Sequence, residues 1–107
     1  MYAYIGCRTT KERNARGKGI RVYEINNGAW ELKQIAKGQV NPSYLCLNEK
    51  QDRLYAIHGD FSEVSAYKVA EDGTLTYQNT TETHGTNPVH LTIDRTGKWL
   101  FVAHLQT

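Results

Sequence analysis

The sequence predicts an all-β chain, part of a β-propeller made of four-stranded antiparallel blades. Three observations predict it. The first is an internal repeat. "NPSYLCLNEKQDRLYAIH" at 41–58 returns as "NPVHLTIDRTGKWLFVAH" at 87–104, an offset of 46. Asn41 meets Asn87, Pro42 meets Pro88, Leu45 meets Leu91, Leu54 meets Leu100 and His58 meets His104. A period of about 40–50 residues holding four short strands is the pattern of a propeller blade. The second is the lack of any apolar stripe at helical spacing, so no helix is expected. The third is a gradient of polarity along each unit. The first two strands of a unit are apolar on both faces, the third is mixed, and the fourth, "TLTYQNTTE", is polar. A blade packed between neighbours buries its inner strands on both faces and wets its rim.

The strands follow in order, lettered a to d from the inside of a blade outward. In the middle unit a spans Tyr44–Asn48, b Arg53–His58, c Glu63–Val69 and d Thr74–Thr81. The intervening "NEKQD", "HGDFS" and "AEDGT" are polar turns, and Asp-Gly accepts the positive φ angles of tight hairpins. Before this unit, "YAYIG" reads as b, "GIRVYEI" as c and "WELKQIA" as d. Tyr23 falls on Tyr67, Ile25 on Val69 and Gly28 on Gly73 once one inserted residue is allowed. After it come a and b of a third unit. The domain reading is therefore a first blade without its inner strand (1–38), a complete second blade (39–85) and the start of a third (86–107). About two and a quarter blades cannot close a ring, which takes about four to eight. The chain is expected to be the N-terminal part of a larger propeller, with the remaining blades as its partner and no activity alone.

Bulk properties set the class. A net charge of +2 over 107 residues with 39% hydrophobic residues reads as soluble and globular, with no nucleic-acid partner and no membrane partner. No apolar run is long enough to span a bilayer. "MYAYIGC" enters a strand at once, with no signal peptide before it. Cys7 and Cys46 fit no metal or disulfide spacing, so a reducing cytoplasm is the expected setting. Neither a metal nor a cofactor is expected.

Three stretches, "YIGCRT…GKGIRVYEI", "NPSYLCLNEKQDRLYAIHG" and "NPVHLTIDRTGKWLFVAHLQT", resemble the opening blades of the lactonase family of seven-bladed β-propellers. Members of that family read "P-x-H-x-x-x-D-x-x-G-x-x-x-x-V", and Pro88, His90, Asp94, Gly97 and Val102 supply it in order. Two places depart: "GCRT" stands for the usual "G-x-Y-T", and "AHLQT" for the usual "A-N-Y". The resemblance implies a seven-bladed ring, no metal, and hydrolysis of a sugar lactone, with 6-phospho-D-glucono-1,5-lactone foremost. Two other readings stay open: a non-enzymatic interaction scaffold, and a muconate-type lactonising enzyme of the same family. A fold alone does not choose among them.

Blade geometry sorts the loops. The b–c and d–a connections share one face, and they carry all four histidines together with Arg8, Lys11, Arg13, Arg16 and Lys18. That face suits a small anionic lactone, since arginine grips phosphate or carboxylate with two parallel bonds. Lactone opening needs a base to activate water and a donor for the oxyanion. His90, at the inner end of strand a and on the motif histidine, is the candidate general base. The competing reading is a buried histidine bonded to its own loop. Arg8, His104, His58 and Asn87 are the candidate substrate contacts. The repeat argues that His58 and His104 pack, and that Asn41 and Asn87 shape the turns before proline. The basic run 11–18 is expected to be a mobile loop, His84 to be exposed, and Trp30 and Trp99 to pack blades.

Overall fold

The computed structural model describes residues 1–106. These residues form three antiparallel sheets. The first holds β1 (Tyr2–Ile5), β2 (Ile20–Asn26) and β3 (Ala29–Ala36) in the order β1-β2-β3. The second holds β4 (Pro42–Leu47), β5 (Arg53–His58), β6 (Glu63–Val69) and β7 (Leu75–Glu82) in chain order. The third pairs β8 (Thr86–Ile93) with β9 (Leu100–Gln106). The expected content of three, four and two strands is the content found. Thr107, the last residue of the third expected blade, lies outside the described residues. The expectation of essentially no helix holds among the described residues, which carry one 3₁₀ turn at Lys11–Arg13 that ends on Asn14 in the left-handed region.

The repeat extends to irregularities that a hydropathy pattern does not show. β4 pairs with β5 through Pro42↔His58 and Tyr44↔Ile57, leaving Ser43 as an extra residue. β8 pairs with β9 through Pro88↔His104 and His90↔Ala103, leaving Val89 as the extra residue. A second pair of bulges falls at Val22/Tyr23 and at Ala66/Tyr67, the positions aligned by the second repeat. A bulge bends its strand and re-aims the side chain beside it. Here the inner-strand bulge sets the direction of Tyr44 and His90.

Turns are repeated too. Asn48 Oδ1 accepts the backbone N–H groups of Asp52 and Arg53, each at 3.0 Å. Asp94 Oδ1, one period later, accepts those of Lys98 and Trp99 at 3.1 and 3.0 Å. Strand β7 begins one residue later than the sequence predicts. Thr74 folds back onto Asp72 Oδ1 through both its N–H and its hydroxyl, which keeps it in the turn.

The core lies between the first two sheets. Ile20 and Val22 of β2 pack with Leu54, Ala56, Tyr67 and Leu75 of the second sheet. Full burial of an aliphatic side chain of this size contributes about 1.5–3 kcal/mol. Burial pushes the Tyr67 phenol up to about 12, with a smaller contribution from Tyr77. Gln34 of β3 spans the same seam at the rim, donating to Leu75 O (2.9 Å) and accepting from Leu75 N–H (2.7 Å). Tyr4 Oη donates to Gly73 O at 2.7 Å nearer the centre. Every residue of β7 but Leu75 is exposed, as the polarity gradient predicts. Trp30 leans on Tyr23 of its own sheet and Trp99 sits at a turn end, and both are exposed.

Candidate active-site face

The b–c and d–a connections meet on one face, and hydrogen bonds tie them together across the sheets. Asn41 precedes β4 and is wholly buried. Its Oδ1 accepts Thr9 N–H at 2.7 Å and Thr10 N–H at 3.3 Å, both from the first sheet's b–c loop. Its Nδ2 donates to Gly59 O at 3.0 Å in the second sheet's b–c loop. Asn87 repeats half of this one period later, accepting Asp60 N–H on Oδ1 at 2.9 Å. Both asparagines stand at positive φ (45° and 55°) immediately before a buried proline. A residue before proline avoids the right-handed helical region, and asparagine tolerates the left-handed one. The Asn-Pro repeat is therefore a latch between neighbouring sheets. Asn87, expected as a substrate contact, has its acceptor taken by Asp60 and is only 7% exposed.

His58 is also held by the scaffold. It is 3% exposed, Nδ1 bonds Val40 O, and Nε2 meets Ser65 Oγ at 2.6 Å. A carbonyl only accepts, so Nδ1 carries a proton toward Val40 O. Ser65 continues to Thr80 Oγ1 at 2.8 Å. Both ring nitrogens of His58, expected as a substrate contact, are engaged by protein partners. His104, its repeat partner, is half-buried, with Nε2 2.8 Å from Thr83 Oγ1 and its ring lying over Gly85. His104 lines a cleft of about 420 Å³ between the second and third sheets, together with Ser65, Thr81, Leu100 and Val102. His90 and Arg8 are not among its lining residues.

His90 is exposed among the described residues. Its ring lies 4.7 Å from that of Tyr44, tilted by 47°. His84 is exposed, as expected. Arg8 reaches across to Asp60, Nη1 to Oδ2 at 3.0 Å. Arg13 grips the same carboxylate by Nε to Oδ2 at 2.6 Å and by Nη2 to Oδ1. The Arg13 bond and the Arg8 charge hold the Asp60 carboxyl below the usual carboxylate range. Arg13 thus bonds the basic run to Asp60, and Thr9 and Thr10 just before it bond Asn41. Sequence reasoning passed over Asp60, Ser43 and Tyr44. Asp60 was the one that could have been found, as an acid placed between loops that carry five cations. Among the described residues no group of three or more His, Cys, Asp and Glu side chains is placed to hold a metal.

The family model described as a seven-bladed β-propeller lactonase matches residues 2–107. The chain belongs to the lactonase family of seven-bladed β-propellers. A 6-phosphogluconolactonase of Formosa agariphila is 29% identical over 94% of this chain and 30% of its own length. A crystal structure of a candidate 6-phosphogluconolactonase from Bacteroides fragilis superposes with a TM-score of 0.83 at 29% identity. It matches 96% of this chain and 29% of its own. A Bacteroides uniformis counterpart gives 0.82 at 26% identity, over 96% of this chain and 30% of its own. The periplasmic gluconolactonase of Pseudomonas aeruginosa shares the fold, with a TM-score of 0.80 at 22% identity, over 99% and 32%. The chain thus spans about 30% of the length of the relatives it matches. Among the described residues no helix is long and apolar enough to cross a membrane.

Proposed function

We propose that the whole protein hydrolyses a sugar lactone, converting 6-phospho-D-glucono-1,5-lactone to 6-phosphogluconate. The supporting observation is an exposed histidine at the bulged inner end of β8, in a lactonase-family chain whose same face carries paired arginines. In this reading His90 takes a proton from water as the water adds to the lactone carbonyl. The tetrahedral oxyanion collapses, the ring C–O bond breaks, and the ring oxygen leaves as an alcohol carrying the proton that His90 returns. Arg8 draws the anionic substrate to the face. His58 and Asn87 keep the loops in place, and His104 stands at the margin.

The same reading treats 1–38, 39–85 and 86–107 as successive blades, completed by the remaining blades of the whole protein. Residues 1–107 alone are inactive in this account, because the described strands do not enclose a channel. The two unpaired cysteines support a reducing cytoplasm, and the substrate fits the oxidative pentose phosphate route. The test is turnover of 6-phosphogluconolactone by the whole protein above the spontaneous rate. Turnover of a muconolactone instead would move the assignment to muconate chemistry. A folded protein that turns over neither would leave the scaffold reading.

A further inference from the structure

Asp60 joins three segments of the chain. Its carboxylate receives Arg8 and Arg13 from the first sheet's b–c loop, and its N–H is held by Asn87 at the start of β8. Its φ is 72°, a left-handed conformation that non-glycine residues adopt only when the surroundings fix it. Arg8 spends one N–H on Asp60, while a guanidinium has five. That same Nη1, with Cζ, lies over Gly59. A β-carbon on Gly59 would stand 2.6 Å from Arg8 Nη1 and 2.7 Å from Ser43 Oγ. The guanidinium and the hydroxyl therefore sit close together in the space above Gly59 that a side chain would otherwise take. Ser43 is the extra residue of the β4 bulge, directly before Tyr44, whose ring meets His90. Two guanidinium charges against one carboxylate leave this cluster net positive.

We propose that Arg8 and Ser43 form the subsite for the phosphoryl group of the lactone, and that Asp60 and Arg13 are positioning residues that hold the Arg8 fork over Gly59. The inference rests on the lactonase reading and deepens it. A fork already ordered by Asp60 needs no further ordering when a dianion arrives, so binding keeps more of the contact energy. Ser43 adds a hydroxyl donor to the guanidinium donors.

The experiment compares two substrates in the whole protein, 6-phosphogluconolactone and unphosphorylated glucono-1,5-lactone. Arg8→Gln is expected to raise KM for the phosphorylated lactone at least about tenfold, the effect of losing one hydrogen bond to a charged group. KM for the unphosphorylated lactone stays within about twofold, and kcat is little changed. Inorganic phosphate, the second probe, competes with the wild type and loses affinity to a similar degree in R8Q. Asp60→Asn keeps a residue that accepts positive φ. It is expected to raise KM several-fold for the phosphorylated lactone alone. An R8Q variant that affects both lactones alike, or neither, overturns the subsite. A D60N variant that lowers KM overturns the positioning role, because Asp60 would then act only as a competing negative charge. A wild type that hydrolyses no lactone sinks the lactonase reading and this inference with it.

Discussion

Tyr44 and His90 lie ring against ring at 4.7 Å although 46 residues separate them, and each holds the same place in its own blade. Both follow the extra residue of a β-bulge, Ser43 in one case and Val89 in the other. The repeat builds one wall position twice and puts an imidazole on one copy and a phenol on the other. Tyr44 limits the rotamers open to His90, and an aromatic pair of this geometry is worth about 0.5–1.5 kcal/mol. Tyr44→Ala is therefore expected to lower kcat about three- to tenfold with a small fall in thermal stability, the loss of the pair, and Tyr44→Phe to keep both. Steady-state kinetics on both variants read this directly.

Asn41 makes its bonds to Thr9, Thr10 and Gly59 with no exposure to water. Removing the side chain leaves buried backbone groups without partners, which costs about 1–3 kcal/mol. Asn41→Ala should destabilise the folded protein by about 2–3 kcal/mol in urea unfolding. Asn41→Asp keeps the acceptor for Thr9 but loses the donor to Gly59, and should also be destabilised, though by less. Equal stability of N41A and wild type would remove the latch from the account.

His58 makes the opposite prediction to His90. Its nitrogens serve Val40, in the connection before β4, and Ser65 of β6. His58→Ala should lower the midpoint of thermal unfolding, with a cost of about 1–3 kcal/mol for the unpaired groups. The kcat of the surviving folded enzyme should stay near that of wild type. A variant of normal stability and lost kcat would return His58 to the site.

The Asp60 tie predicts a pH effect with a fixed sign. Arg13, through its hydrogen bond, and Arg8, through its charge, hold this carboxyl below its usual value. A carboxylate with a lowered folded pKa stabilises the fold above its unfolded value of about 3.9. That contribution disappears as pH falls through the lower folded value. The pair is open to solvent, so the effect is small. The gap in unfolding midpoint between wild type and D60N should hold steady from about pH 7 to 5. It should then shrink to nothing in strong acid. A gap that widens in acid contradicts the assignment.

The strands were legible because each unit repeats its apolar and turn residues in register. Leu54 and Leu100, or Asn48 and Asp94, say the same thing twice. The bulges at Ser43 and Val89 were not legible, since an extra residue leaves hydropathy unchanged and alters only pairing. The sorting of loops was legible in outline, since blade geometry puts Arg8 and the start of β8, with His90, at the same face. Asp60 was missed because its partners lie 52 and 47 residues away, Arg8 and Arg13, and no local pattern links them. The partners of His58 were not legible, because a buried histidine and a pocket histidine look alike until Val40 O and Ser65 Oγ are seen to occupy its ring.

The most direct measurement is the kcat of His90→Gln for 6-phosphogluconolactone in the whole protein, with folding checked by circular dichroism. Glutamine nearly fills the space of the imidazole but cannot take a proton from water. The account predicts a fall in kcat of about 10²-fold or more with KM little changed, the loss expected for a general base. A folded variant that keeps wild-type kcat would contradict the central claim that His90 activates the attacking water.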